Sequence, residues 1–114
     1  MKFEFSESNI NRLSEVTILL KNILEANNCF GYHIAIDNVL DAAKKKNDSE
    51  FISFATHKTL FGGMGALWEI YFAEESLMKK FETTFLIYLE ILNEIGLNNE
   101  RVNQIRQGFI KKSQ

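Results

Sequence analysis

Glu75-Ser76-Leu77-Met78-Lys79-Lys80-Phe81-Glu82-Thr83-Thr84-Phe85-Leu86-Ile87-Tyr88-Leu89-Glu90-Ile91-Leu92-Asn93-Glu94-Ile95 is the stretch that decides the fold. Met78, Phe81, Phe85, Tyr88, Leu92 and Ile95 recur at intervals of three and four, the seam of a helix packed in a bundle. Gly96 follows at the place where a left-handed residue ends a helix. Ile87 and Ile91 fall off this core arc.

The same periodicity recurs on both sides of that stretch. Ser6 and Ser8 can cap a first helix running to about Glu25, with Ile10, Leu13, Val16, Leu20, Ile23 and Leu24 on one face. A second helix is expected from about Phe30 to Lys46, with Tyr32, Ile36, Val39, Leu40 and Ala43 inward. Its Lys44-Lys45-Lys46 sits at the negative end of the macrodipole. Asp48 or Ser49 then caps a shorter helix, about Glu50 to His57. After Gly96, Asn98 or Asn99 caps a last helix with a narrower stripe of Val102, Ile105 and Phe109.

Between the third helix and the long one lies Thr59-Leu60-Phe61-Gly62-Gly63-Met64-Gly65-Ala66. Glycine costs about 1 kcal/mol in a helix relative to alanine, so this segment reads as a loop. Leu67 to Phe72 is compatible with a short strand or a helical turn. Gly63 is expected to need either a positive φ or a close helix approach, so that valine there would cost several kcal/mol. The expected architecture is all-α, a single domain over residues 1–114. About five helices surround a central Gly-rich loop.

Composition agrees with one soluble globular unit. The chain has 114 residues, 46% of them hydrophobic and 25% charged, and 10 are Phe, so aromatic rings should dominate the core. There is no proline, which removes the strongest helix breaker. The one cysteine, Cys29, allows no internal disulfide and reads as a small buried residue. The segment beginning Met1-Lys2-Phe3-Glu4 lacks a signal-peptide pattern, and no apolar run reaches membrane-spanning length. A cytoplasmic location without membrane contact is therefore expected.

Catalytic constellations are scarce. The only histidines are His33 and His57, and no HExxH, G-x-S-x-G or CxxC pattern occurs. His33, Asp37 and Asp41 share one flank of the second helix at i, i+4 and i+8, which a metal could use. Helix flanks also carry such polar pairs routinely, with a His–Asp contact worth a few tenths of a kcal/mol. The glycine block lacks the Gly-Lys-Ser/Thr of a phosphate loop, since Ala66 and Leu67 follow Gly65. The net charge is −2, and no aromatic residue interleaves with Lys44-Lys45-Lys46, which argues against nucleic-acid binding. Neither a catalytic residue nor a cofactor or metal site is expected.

The block Leu60-Phe61-Gly62-Gly63-Met64-Gly65-Ala66-Leu67-Trp68-Glu69-Ile70 resembles a hydrophobic–Gly-Gly-Met-Gly–small–x–x–acid–hydrophobic signature. That signature belongs to small all-α bacterial immunity-type proteins of contact-dependent inhibition and related polymorphic toxin systems. The order of helices around the block is similar too. Here Ala66 replaces a usual serine, and Trp68-Glu69 stands where a polar residue and Asp are usual. The resemblance implies stoichiometric binding of a cognate toxin domain, with no enzymatic activity.

Charge distribution suits a basic partner such as a nuclease domain. Glu69, Glu74, Glu75, Glu82, Glu90, Glu94 and Glu100 face only Lys79 and Lys80 within their segment. A step of about 100° per residue places Glu75, Glu82, Glu90 and Glu94 along one flank of the long helix. These four, with Trp68 and Glu69, are the expected partner-binding residues. The same flank is also what the solvated face of any amphipathic helix looks like. A different reading is a small adaptor or regulatory subunit, homodimeric through Ile87 and Ile91.

Overall fold

Gly96 stops the long helix as its position requires. Its φ is +119°, and the Leu97 amide behind it reaches back to the Leu92 carbonyl at 3.0 Å. This computed structural model describes residues 3–114; Met1 and Lys2, where the N-terminal reading begins, lie outside the described residues. The helices are α1 (Glu7–Ala26), α2 (His33–Lys44), α3 (Asp48–Ala55), α4 (Lys58–Phe61), α5 (Glu75–Ile95) and α6 (Glu100–Lys112). Leu67–Glu69 makes one 3₁₀ turn, and no strand occurs among the described residues. The fold is all-α. Apart from the single turn of α4, it is a bundle of five helices.

Local chemistry sets the boundaries. Ser6 Oγ accepts from the Asn9 amide at 3.1 Å and opens α1. Asn99 Oδ1 accepts from the Val102 amide at 3.0 Å and opens α6. The cap of α3 is Asn47, whose Oδ1 accepts from the Glu50 amide at 3.0 Å, in place of the expected Asp48 or Ser49. α2 begins at His33, three residues later than expected, because Asn28 takes a left-handed φ of +55° and a turn follows. It ends where Lys46, also at φ +55°, turns the chain and the Asn47 amide bonds the Ala42 carbonyl at 3.0 Å.

In the central segment one expectation is corrected and one open alternative is decided. Thr59–Phe61 is helical, because His57 Nδ1 accepts from the Thr59 amide at 3.1 Å and starts one turn before the glycines. Of the two alternatives for Leu67–Phe72 the helical turn is the one formed: Leu67–Glu69 is the 3₁₀ turn, Ile70 after it is extended, and no strand is made.

α1 and α5 lie antiparallel, fixed at one end by the Glu4 amide on the Ile95 carbonyl (2.7 Å) and by Arg12 on Glu94 (2.6 Å). α6 returns antiparallel along α5, with Arg106 on Glu90 at 3.0 Å. α2 packs on α1, and α3 on α2. Between them runs an aromatic ladder. Phe72 stacks on Phe81 (5.3 Å between centroids), Phe81 on Phe85 (5.4 Å) and Phe85 on Tyr88 (6.0 Å), and Phe61 and Phe109 close on Phe85. Phe3, Phe5 and Phe51 form a second cluster. Ile91, expected off the core arc, is only 2% exposed, whereas Ile87 is 47% exposed. The arc extends toward α1 because that helix covers it. No helix of the described residues is long and apolar enough to cross a membrane.

Tyr88 is fully buried, and its hydroxyl has no protein partner among the described residues. Burial pushes its phenol well above the ordinary value of 10.0. The folded state therefore favours the neutral form. That stability is intact below about pH 10 and is lost as pH rises past it. Tyr88→Phe should keep the fold and remove the desolvation cost of an unpaired hydroxyl, on the order of 1 kcal/mol. In denaturant titrations at about pH 8 and about pH 11, chosen to bracket the phenol's ordinary range, the parent should lose more stability than the variant. Equal losses would show that the phenol does not govern the alkaline limb.

Candidate functional site

The segment from Gly62 to Glu75 leaves the helical framework, yet it is held at several points. The Gly62 carbonyl accepts from the Trp68 indole N–H at 2.7 Å and from Arg101 Nη2 at 3.2 Å. Arg101 Nε also donates to the Phe61 carbonyl at 3.0 Å, and its guanidinium lies 5.3 Å from the centre of the Trp68 ring. From the other side, the Tyr32 hydroxyl donates to the Gly65 carbonyl at 2.6 Å. Burial first, and then charge on the neighbouring Cys29, push the Tyr32 phenol above its ordinary value of 10.0. Cys29 itself is half-buried, less enclosed than its sequence context suggests.

The glycines divide their roles differently from expectation. At Gly63 a Cβ would meet nothing within 4 Å, and φ is not positive. The tight position is Gly62, where a Cβ would lie 2.6 Å from the Lys58 carbonyl oxygen and 2.8 Å from the Lys58 Cβ. Gly65 carries the positive φ, +86°. Close approach and backbone turning are thus met by the glycines on either side of Gly63-Met64.

What the anchored segment displays is apolar and acidic. Met64 at its tip is 100% exposed, and Tyr71 is 76% exposed. Glu69, Glu74 and Glu75 are exposed and make no ion pair with any described residue; Glu74 only accepts from the Ser76 hydroxyl at 2.8 Å. The Tyr32–Gly65 bond brings the start of α2 alongside, where Phe30 and Ile34 are exposed. Ile34 rims a groove of about 260 Å³ between α2 and the α3–α4 corner, floored by Ala35, Phe54 and His57. Trp68 is only partly exposed and lines a separate cleft of about 200 Å³ against Ile105 and Phe109 of α6.

The expected acidic flank of α5 is not a single free surface. Glu94 turns to Arg12 of α1, while Glu90 takes Arg106 and Glu82 lies 3.7 Å from Lys112, both on α6. An arc of about 120° on one helix is wide enough for its two edges to reach different neighbours. Only Glu75 of the four has no cation partner among the described residues.

His33, Asp37 and Asp41 do not converge. His33 Nε2 sits 2.8 Å from Glu25 and Lys21 Nζ 2.9 Å from Asp37, so two of the three turn to α1 and the expected His–Asp contact is not made. No group of three metal-type side chains assembles among the described residues. Comparison with protein families, with curated proteins and with solved structures finds no match for this chain.

Proposed function

We propose that the protein is an immunity-type protein, which binds a cognate bacterial toxin domain stoichiometrically and neutralises it without catalysis or a cofactor. The observation that carries this reading is the Gly62–Glu75 connection. Tyr32, Trp68 and Arg101 hold its Gly62 and Gly65 carbonyls and the buried Leu67 and Phe72 side chains seat the rest, while Met64, Glu69, Tyr71, Glu74 and Glu75 project from it. A pre-ordered segment loses little conformational entropy on binding, which is what tight inhibitors exploit. An exposed tyrosine among carboxylates suits a cationic cleft such as that of a nuclease: the ring supplies an anchor and the carboxylates steer association. The resemblance of the Leu60–Ile70 block to immunity-type proteins supports the same reading.

The test is co-purification with the C-terminal domain of the secreted protein encoded by the adjoining gene, followed by growth protection in cells expressing that domain. Reversing Glu69, Glu74 and Glu75 to Lys should weaken binding by about 100-fold or more and remove most of its salt dependence. Tyr71→Ala should weaken it by about 30-fold, the scale of an interface anchor. Unchanged affinity in both variants, with the helical spectrum intact, would move the interface elsewhere. Absence of any complex or protection would overturn the immunity reading itself.

A further inference from the structure

On the outer side of the α1/α5 pair, Ile18, Leu19 and Ile87 are exposed, Leu19 to 53%. Polar residues are ordered around them. On α5, Lys80 and Glu94 stand seven residues before and after Ile87. On α1, Glu15 and Asn22 stand seven residues apart and bracket Ile18 and Leu19. Seven residues are close to two helical turns, so each set forms one stripe along its helix. Every member of both stripes is exposed.

The antiparallel packing puts the stripes in register. Arg12 meets Glu94, and two turns further along both helices Leu19 comes beside Ile87. Glu15 and Glu94 therefore lie toward one end of the face, Asn22 and Lys80 toward the other, and the apolar residues in the middle. Arg12 offsets one of the two acids at its end. That end is left with one negative charge; at the other end Lys80 is positive and has no carboxylate partner among the described residues, while Glu25, one turn beyond Asn22, turns to His33 Nε2 at 2.8 Å.

We infer that this face is a self-complementary interface joining two copies of the chain. The two-fold axis crosses α1 between Ile18 and Leu19 and α5 at Ile87, so that each helix runs antiparallel to its own counterpart. The apolar residues then meet their equivalents, Lys80 meets Glu94 of the partner subunit, and Asn22 offers its amide to Glu15 of the partner subunit. Symmetry makes each pair twice. An axis parallel to the helices would instead set the acidic end against its own copy, so the charge order selects one pairing. Glu94 can serve both subunits, since Arg12 occupies only its Oε2. With three apolar side chains per copy the patch is small, and the dissociation constant should be on the order of 10–100 μM.

Sedimentation equilibrium of the whole chain at low salt, from about 5 μM to about 1 mM to span that range, tests the inference. The parent should pass from monomer to dimer, and Leu19→Asp should remain monomeric throughout with its helical spectrum unchanged. Lys80→Glu should weaken the dimer at least about 10-fold by setting two glutamates against each other. Asn22→Lys should tighten it at least about 5-fold, because it places a cation opposite the partner's Glu15. Lys80 belongs to no ion pair among the described residues, and Asn22 is exposed on α1, so both changes leave the subunit intact. A parent that stays monomeric to about 1 mM would overturn the inference, that concentration lying about 10-fold above the expected range. So would a dimer indifferent to Leu19→Asp, or an Asn22→Lys variant no tighter than the parent.

Discussion

Truncating Phe85 to alanine should lower stability by about 3–5 kcal/mol, the range for a large aromatic removed from a close-packed core. Phe85 is the junction of the molecule. It touches Phe81 and Tyr88 on its own helix, Phe61 before the glycine segment and Phe109 on α6, with centroids 5.0–6.0 Å away. The rings belong to α4, α5 and α6, so the hole cannot close by shifting one helix. At about 4 °C per kcal/mol for a domain of this size, the melting temperature should fall by roughly 12–20 °C. Circular dichroism melts of parent and variant measure this. A fall of less than about 5 °C would mean that the ladder is not the centre of the core.

Gly62→Ala should cost about 1–3 kcal/mol, whereas Gly63→Ala should stay within about 0.5 kcal/mol. At Gly62 the added carbon meets backbone oxygen at 2.6 Å, and backbone cannot swing aside as a side chain can. The same residue carries the carbonyl that Trp68 and Arg101 both hold, so displacement there also loosens two anchors. Denaturant titration of the two variants side by side measures the contrast. Equal costs would show that the connection adapts to a side chain at either position, and that Gly62 makes no special approach to α4.

These two neighbours show where the sequence could be read and where it could not. A run of glycines announces that something tight happens nearby, but only the fold says which residue passes against Lys58. The long helix was legible to its ends because its seam is unbroken along the whole helix and Gly96 punctuates it. The cap of α3 was less so: Asn47, Asp48 and Ser49 are all competent, and only the turn made by Lys46 selects the first. Helix α4 escaped because its cap is a histidine ring, a residue that propensity does not reserve for that position. For the charged residues the limit is more basic. A helical wheel gives the direction in which Glu90 and Glu94 leave α5, but not that α6 and α1 hold Arg106 and Arg12 in wait. Among the described residues, the carboxylates left without a cation near this connection are therefore Glu69 in the 3₁₀ turn and Glu74 and Glu75 at the start of α5. Glu69 and Glu75, read from sequence as candidates, are among them, while Glu82, Glu90 and Glu94 lie beside cations of their own chain.

The pairing of α1 with α5 also bears on how the polypeptide emerges from the ribosome. The helix that covers most of the apolar side of α1 is completed about 70 residues after α1 ends. At a synthesis rate of about 5–20 residues per second, Leu13, Val16 and Leu20 wait on the order of 4–14 seconds for their principal partner. During that interval α2 can dock, shielding one edge of the stripe and leaving the other open. The nascent chain thus passes through a stage in which an amphipathic hairpin is bare on one side. Its release as a folded unit is tied to the appearance of Glu75–Ile95, the segment that also defines the finished bundle.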